Sequence, residues 1–128
     1  LNTGDPRWMV PMGDLAHPRL KPLGLPPVGR PTRGHALLTK TLLIVGQEGT
    51  TQRAEGRELE TVTVPNFEIH DPKLSAYDKA TGRVVGEVTL PRNATAAPMT
   101  YMLNGKQFVV LATGGSNLPA ELIALRLP

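Results

Sequence analysis

Thr3-Gly-Asp-Pro-Arg-Trp8 (TGDPRW) and Ala76 to Gly86 (AYDKATGRVVG) are the two related stretches that decide the fold of this chain. Each contains a Thr-Gly pair, and Trp8 follows four positions after the first glycine. Each copy leads into a mixed apolar and polar stretch with a proline, WMVPMG in the first and GEVTLP in the second. Repeated units of this kind bury their faces only against neighbouring units. The chain is therefore predicted to be a piece of a larger repeat protein.

The composition favours short strands over long helices. The 128 residues include 13 Gly and 13 Pro, but only one Trp, two Tyr and two Phe. Such a density of turn-forming residues is typical of short strands joined by turns. No apolar stretch approaches the roughly 20 residues that cross a bilayer, and no targeting segment is visible. Cysteine is absent, which excludes disulfides, thiolate nucleophiles and Cys-ligated metals.

The positive charge does not indicate a nucleic-acid partner. The net charge of +3 comes from scattered Lys and Arg side chains, with the densest cluster at Arg30, Arg33 and His35. Because few aromatic residues are available to stack on bases, we expect no binding of nucleic acid. His17, His35 and His70 lack the spacing of metal ligands, and no phosphate loop or nucleophile motif is present.

The first third of the chain is predicted to hold the end of one unit and a long loop. Residues 1–13 form that end, with a turn at Thr3 to Pro6 and a short strand through Trp8, Met9 and Val10. Residues 14–33 contain five prolines and are predicted to be an extended loop.

Residues 34–91 are predicted to form one unit with an insertion at 47–73. Gly34 to Gly46 contains two apolar runs around a short turn, and the continuous run Leu42 to Val45 requires cover on both faces of its strand. The insertion is polar, with a β-like island at 61–64. A strand follows at 74–77, and Asp78 to Gly82 is predicted to be a tight hairpin turn.

Residues 97–128 are predicted to be closing strands. Asn104-Gly105 is a strong two-residue hairpin signal, because both central positions of a type I′ turn need a positive φ. This turn places Tyr101 opposite Phe108, with Met102 opposite Gln107 and Leu103 opposite Lys106. Residues 114–117 (GGSN) are predicted to break the strand. Residues 121–127 are compatible with a helix or a closing strand, and we favour the strand.

These features together resemble a known family. Ala76, Asp78, Thr81 and Gly82 match the tryptophan-docking motif of quinoprotein dehydrogenases, which are eight-bladed β-propellers, although Gly86 stands where that motif has Trp. The stretch from Ala97 to Gly115 resembles the final hairpin of the membrane-bound glucose-dehydrogenase branch. The segments WMVPMGDL and LPPVGRPTRGHALLT resemble the same branch, and residues 47–73 replace a much shorter link.

The resemblance implies an all-β fold of antiparallel sheets, the last one to two blades of an eight-bladed β-propeller. It implies oxidation of sugar or alcohol hydroxyls by hydride transfer to pyrroloquinoline quinone, with electrons passed to ubiquinone or a cytochrome. The remaining propeller blades of the parent chain would be the immediate partner. It also implies calcium as a second cofactor and a periplasmic location, with an inner-membrane anchor in a segment preceding Leu1. The catalytic Asp and the calcium ligands of the family lie in earlier blades, so the isolated chain is expected to be inactive.

The resemblance also implies that Gly34, His35, Gly114, Gly115 and Ser116 face the propeller axis and contact the quinone. From the residues alone, the alternatives stay open. Gly114-Gly115 would also serve simply to end a strand, and His35 would also fit an exposed loop. Trp8 is interpreted as packing between blades rather than as a platform for the cofactor.

Two further functions remain as alternatives. One is a non-enzymatic propeller scaffold of the type used in outer-membrane protein assembly, which would keep the docking motifs but lack the catalytic Asp and calcium ligands. The other is a small free-standing β domain that uses the loop at 14–33 for protein contacts. The sequence that precedes Leu1 would separate the first alternative from a dehydrogenase.

Overall fold

The fold consists of β-strands joined by turns and connecting segments. The computed structural model describes residues 3–12, 21–26, 29, 34–49, 51–54, 57–61, 71–115 and 118–127, with residues 51–54 and 57–61 described by their backbone. A 3₁₀ turn covers Lys21–Leu23. The strands are β1 (His35–Leu38), β2 (Leu42–Gln47), β3 (Thr51–Ala54), β4 (Arg57–Thr61), β5 (Lys73–Asp78), β6 (Val84–Thr89), β7 (Asn93–Ala94), β8 (Met99–Leu103), β9 (Lys106–Gly115) and β10 (Leu118–Arg126). The all-β prediction is confirmed for the described residues.

The first sheet is antiparallel and has the order β1-β2-β5-β6. Residues 39–41 join the two apolar runs as predicted, and Leu37 lies opposite Ile44 across β1 and β2. The Asp78 to Gly82 turn connects β5 to β6, with the Gly82 N–H donating to the Asp78 carbonyl at 2.8 Å. Ile44 and Val45 are both buried although they lie on opposite faces of β2, which confirms that both faces of this strand are covered.

The second sheet is built around β9, which pairs with β10 on one side and with β7 and β8 on the other. The hairpin at Asn104-Gly105 has the predicted register, and both residues have positive φ. The Tyr101 and Phe108 rings stack with centroids 5.3 Å apart. The predicted helix-or-strand segment near the C-terminus is the strand β10.

Residues 114–117 were predicted to break the strand, and this prediction was wrong for Gly114 and Gly115. β9 continues through Gly114 and Gly115, because Gly114 pairs with Asn93 and Gly115 pairs with Leu118. Ser116 and Asn117 lie outside the described residues. Flanking strands on both sides therefore keep the two glycines in the ladder, although glycine itself disfavours a strand interior.

The core lies between the two sheets. Alternation along β2 and β9 places Ile44 on the face that meets Val109 and Leu111 of the second sheet. Leu74, Leu90 and Ala94 complete the buried cluster. One face of each sheet is therefore buried against the other sheet, without helices among the described residues.

The predicted strand through Trp8, Met9 and Val10 was wrong. Residues 3–12 pair with no strand in the described part of the chain. Pro6 and Pro11 bracket the segment and lack the N–H groups that a ladder needs. Trp8 and Met12 are half-buried and attach the segment to the first sheet through their side chains.

The predicted insertion contains a third, two-stranded sheet formed by β3 and β4. Gln47 belongs to β2 and Lys73 to β5, so the connection between these strands covers residues 48–72. Thr61 of the predicted β-like island ends β4, and residues 62–64 lie outside the described part. Most of the predicted proline-rich loop at 14–33 lies outside it as well.

Candidate functional site

The ends of several strands from the two sheets lie side by side, at the same end of both sheets. His35 begins β1 opposite Gly46, and a Cβ added at Gly46 would lie 2.8 Å from the Cβ of Ala94 in β7. Ala94 in turn pairs with Thr113 near the end of β9. We call this region the shared edge and define it as residues 34–35, 46–49, 93–94 and 113–115. The shared edge brings the predicted residues His35 and Gly114 to the same end of adjacent sheets.

The predicted cofactor residues have different surroundings along the shared edge. His35 is half-buried and lies on the face of the first sheet that is turned toward the second sheet. Gly34 lies against Met12, since a Cβ there would be 2.7 Å from Met12 Cε. At Gly114, a Cβ would make only ordinary contacts of 3.6 Å or more. Packing of Met12 therefore accounts for the glycine at 34, whereas no close contact with a described residue requires one at 114.

Asn93 joins three segments of the shared edge and was not identified from the sequence as a functional residue. Its backbone pairs with Gly114, and its side-chain Oδ1 accepts a hydrogen bond of 2.7 Å from the Gly49 N–H. Its role depends on a partner 44 positions away, which no local pattern reveals.

Arg92 and Thr113 were also missed. The Arg92 side chain is 4% exposed, and its guanidinium contacts the Glu121 carboxylate at 3.1 Å. It also donates to the Pro119 carbonyl at 2.7 Å, where the register of β10 shifts against β9. The ion pair with Glu121 and the hydrogen bond to Pro119 hold the start of β10 close to Arg92, the residue that precedes β7.

Thr113 places a buried hydroxyl at the shared edge. The residue is 0% exposed, and its Oγ1 has no hydrogen-bond partner among the described residues. Thr113 lies between Ala94 and Glu121 on the face of β9 turned toward the first sheet. Because buried hydroxyls are normally hydrogen-bonded, this atom is available to a donor or acceptor that the described residues do not supply.

A row of polar side chains crosses the opposite face of the first sheet. Gln47 Nε2 donates to Ser75 Oγ at 3.0 Å and to the Tyr77 hydroxyl at 3.1 Å. Ser75 Oγ donates to Glu87 Oε1 at 2.9 Å, and Lys73 lies 3.4 Å from the other Glu87 oxygen. The row fixes the end of β2, and therefore the position of Gly46 in the shared edge.

The two copies of the repeat contact each other away from the shared edge. The Trp8 indole Nε1 donates to the Lys79 carbonyl at 2.9 Å. The indole ring also covers Gly82, because a Cβ there would lie 2.7 Å from two ring carbons. Trp8 therefore packs against the turn of the second copy, in agreement with the predicted packing role.

Asp78 organises the turn that receives Trp8. Its Oδ1 accepts hydrogen bonds from the Thr81 hydroxyl and N–H, both at 2.8 Å, and from the Ala80 N–H at 3.0 Å. The Thr81 hydroxyl first, then the two N–H groups and the Arg83 charge, hold the pKa of Asp78 below its ordinary value. Gly82 adopts a φ of 74°, which disfavours any residue with a Cβ.

Neither a metal cluster nor a membrane span is found in the described part of the chain. No three His, Asp or Glu side chains there come together as ligands. None of the helical segments there has the length and apolarity needed to cross a bilayer.

Comparison with known proteins decides the family. The model of the PQQ family, described as the β-propeller domain of glucose, ethanol and alcohol dehydrogenases, matches residues 1–109. The chain belongs to this family. The match includes both copies of the repeat and most of the final hairpin.

Three relatives show which enzymes the chain is similar to. The quinoprotein glucose dehydrogenase of Escherichia coli (strain K12) is 32% identical over 86% of this chain and 17% of its own length. The glycerol dehydrogenase large subunit of Gluconobacter thailandicus is 32% identical over 94% of this chain and 15% of its own length. The probable quinate dehydrogenase (quinone) of Xanthomonas campestris pv. juglandis is 30% identical over 100% of this chain and 15% of its own length. The chain spans less than a fifth of each of these relatives, and no solved structure matches it.

The shared edge fits one wall of a quinone site. Pyrroloquinoline quinone is flat and carries polar groups, and the edge offers the His35 imidazole, the unpartnered Thr113 hydroxyl and the small residues at 114 and 115. The same edge does not fit calcium, because the described residues bring no cluster of carboxylates together.

Proposed function

We propose that this chain is one segment of a longer quinone-dependent dehydrogenase that oxidises the hydroxyl groups of sugars or alcohols. Pyrroloquinoline quinone would supply the hydride-accepting chemistry, and electrons would pass onward to ubiquinone or a cytochrome. The observation that carries this proposal is the family match over residues 1–109. The names of the relatives, which include glucose, glycerol and quinate dehydrogenases, support a polyhydroxylated substrate.

The two larger sheets are proposed to be consecutive blades near the end of an eight-bladed ring. Two observations support this. The sheets stack face to face through an apolar core, and Trp8 ties the preceding segment to the turn of the first sheet. The outer face of the second sheet carries the exposed side chains of Met99, Tyr101 and Leu122, which a further blade would cover.

Within that ring, the chain is proposed to bind and orient the cofactor rather than to carry the reacting base. His35 and the backbone at Gly34, Gly114, Gly115 and Ser116 would contact the quinone. The Thr113 hydroxyl is a further candidate to contact it, and the ion pair of Arg92 with Glu121 would hold the end of β9 in position. No catalytic residue is assigned to this chain, and calcium would be held by residues of other blades.

The full-length protein is proposed to act in the periplasm, with an anchor in the inner membrane. The likeness to quinoprotein dehydrogenases supports this location. The dehydrogenase names of the relatives also support an enzyme over a scaffold for outer-membrane protein assembly.

Reconstitution of the full-length protein tests the proposal. Purified protein without cofactor is mixed with pyrroloquinoline quinone and calcium, and dye reduction is followed with glucose, glycerol and quinate. We expect dye reduction that requires both the quinone and at least one of these substrates. The 128-residue chain alone is expected to be inactive under the same conditions. Full-length protein that binds no quinone and reduces no dye would contradict the proposal.

A further inference from the structure

Two consecutive residues at the entrance of β7 hold the end of β9 from both sides. Asn93 pairs with Gly114 through its backbone, and its side chain accepts the Gly49 N–H at 2.7 Å. The preceding residue, Arg92, contacts the start of β10 through the Glu121 carboxylate. The two side chains therefore connect the end of β9 to the segment after β2 on one side and to β10 on the other. We call Arg92 and Asn93 the clamp.

The Gly49 end of the clamp is fixed by close packing. A Cβ added at Gly49 would overlap the backbone of Asp71 and Pro72, which directly precede β5. Pro72 is fully buried, and its carbonyl accepts a hydrogen bond of 2.8 Å from the N–H of Leu90, a core residue three positions before Asn93. The Asn93 side chain therefore bonds to a backbone position that the buried core holds in place.

The other end of the clamp is a buried guanidinium. The Arg92 side chain is 4% exposed, and its partner Glu121 is half exposed. Arg92 also donates to the Pro119 carbonyl at 2.7 Å. The register of β10 against β9 shifts between Leu118 and Glu121, so these contacts fix a part of β10 where the backbone ladder is irregular.

The end of β9 needs support from its neighbours because of its own composition. Gly114 and Gly115 have no side chains to pack, and glycine loses more conformational freedom than other residues when its backbone is fixed. Thr113 precedes them, and its buried hydroxyl has no partner among the described residues. The position of both glycines therefore depends on contacts made by the adjacent segments.

We propose that Asn93, together with Arg92, is a positioning residue of the quinone site that holds residues 114–115 in the arrangement that receives the cofactor. The inference rests on the proposed function, since it assumes that the quinone lies at the shared edge. Neither side chain of the clamp needs to contact the quinone. The clamp acts before binding, by removing conformational freedom that the two glycines would otherwise lose when the cofactor binds.

Amide hydrogen exchange in the full-length protein without quinone tests the clamp itself. Asn93→Ala should accelerate exchange at residues 113–115 about tenfold, because the Gly49 N–H loses its acceptor and β7 is no longer tied to the segment after β2. Exchange at residues 109–111, in the core of the same strand, should stay unchanged. Asn93→Asp keeps an acceptor for the Gly49 N–H and should restore the exchange of the unmodified protein.

Glu121→Gln tests the other side of the clamp by breaking the ion pair with Arg92. Exchange at residues 113–115 should rise about threefold, a smaller effect because this pair is partly exposed to water. Unaltered exchange at residues 113–115 in either variant would overturn the role of that side of the clamp. Equal acceleration at residues 109–111 would also overturn it, because it would indicate a general loss of stability.

The matched control lies at the opposite end of β9. Gln107→Ala removes the hydrogen bond of 2.9 Å that Gln107 donates to the Thr100 hydroxyl. Exchange at residues 113–115 should match that of the unmodified protein. Acceleration there in the control would contradict a clamp confined to Arg92 and Asn93.

Equilibrium binding of pyrroloquinoline quinone connects the clamp to the cofactor. Full-length protein freed of quinone is titrated with it in the presence of calcium, and quenching of the protein fluorescence gives the Kd. We expect the Kd to rise about tenfold in Asn93→Ala and about threefold in Glu121→Gln. The Kd of Gln107→Ala should stay unchanged.

The charges of the two variants exclude a purely electrostatic explanation of weaker binding. Asn93→Ala leaves the net charge as it is. Glu121→Gln removes a negative charge, which by itself would favour a ligand that carries carboxylates. A rise in Kd in both variants therefore supports positioning, and an unchanged or lower Kd in both would overturn it.

The two measurements also separate this inference from the proposed function. Unmodified full-length protein that binds no quinone refutes the proposed function and, with it, the positioning of the quinone. Unmodified protein that binds quinone, with the same Kd in the clamp variants, refutes this inference alone.

Discussion

The two larger sheets of this protein differ in how many of their faces are covered. The first sheet has the second sheet on one side, and its other face buries Val45, Ser75 and Tyr77. The second sheet buries Leu111 against the first but leaves Met99 and Leu122 exposed on its outer face. Both sheets nevertheless carry apolar residues on both faces. The difference shows that the second sheet has the sequence of an inner layer but, among the described residues, only the first sheet as a neighbour.

The largest effect is expected from the covered face of the second sheet. Leu111 is 1% exposed, and Leu111→Ala should lower the free energy of unfolding by about 3 kcal/mol, from lost burial and the cavity that remains. Leu122 is 77% exposed, and Leu122→Ala is the matched control with an expected change within about 0.5 kcal/mol. Urea unfolding of the two variants of the 128-residue chain, in which no further blade covers Leu122, measures both. Similar losses at the two positions would contradict the described difference between the faces.

A second test compares two turns. The turn at Gly82 in the first sheet is covered by Trp8, and the turn at Gly105 in the second sheet is exposed. Gly82 and Gly105 both have a φ of 74°, but Trp8 lies against Gly82, whereas nothing in the described part of the chain lies within 4 Å of a Cβ at Gly105. Gly105→Ala should cost about 1 kcal/mol of stability, from backbone strain alone. Gly82→Ala should cost about 2 kcal/mol or more, since the new methyl group also displaces the indole ring.

Tryptophan fluorescence makes this comparison specific, because Trp8 is the sole Trp in the chain. Gly82→Ala should shift the emission toward longer wavelength as the indole becomes exposed to water. Gly105→Ala should leave the emission unchanged. A red shift in both variants, or in neither, would show that Trp8 does not pack on the turn at Gly82.

The local features of this fold could be predicted because neighbouring residues determine them. Asn104-Gly105 specifies its own turn and hence the Tyr101–Phe108 pair, and Asp78 specifies its turn through Thr81. The continuous apolar run in β2 also correctly indicated that both of its faces are covered.

Features that depend on distant partners could not be predicted. Trp8 was placed in a strand, but its position is set by Gly82 and Lys79 rather than by a ladder. The Asn93–Gly49 bond and the burial of Thr113 likewise depend on how the two sheets pack. Gly114 and Gly115 remain in β9 because strands on both sides pair with them, against their local preference.

A smaller effect is expected on the solubility of the chain. The exposed apolar face of the second sheet should promote association of the 128-residue chain. Leu122→Lys adds a charge to this face and should reduce light scattering at a given protein concentration by roughly half, with stability changed by less than about 0.5 kcal/mol. Leu38→Lys, at an exposed position of the first sheet, is the control. Equal improvement in both variants would argue against a specific role for the outer face.

The smallest effect concerns the stability in acid that the Asp78 to Gly82 turn provides. The folded-state pKa of Asp78 lies below its unfolded value of about 3.9. Its stabilising contribution is therefore fully present above that value and is lost as the pH falls through the folded-state pKa. Thr81→Val removes the hydroxyl that contributes most to the shift, so the pKa of Asp78 should rise and the pH dependence of stability between about pH 2 and 5 should weaken. Urea unfolding across this range measures the change. A pH dependence identical to that of the unmodified chain would contradict the role of Thr81.

Footprinting of the full-length protein by hydroxyl radicals tests most directly whether the outer face of the second sheet is an internal surface. If the next blade covers it, Met99 and Tyr101 will be as strongly protected as Leu111, and all three will become reactive together on unfolding in urea. Met99 and Tyr101 that react in the native full-length protein at the rate of fully exposed side chains would contradict the stacked arrangement.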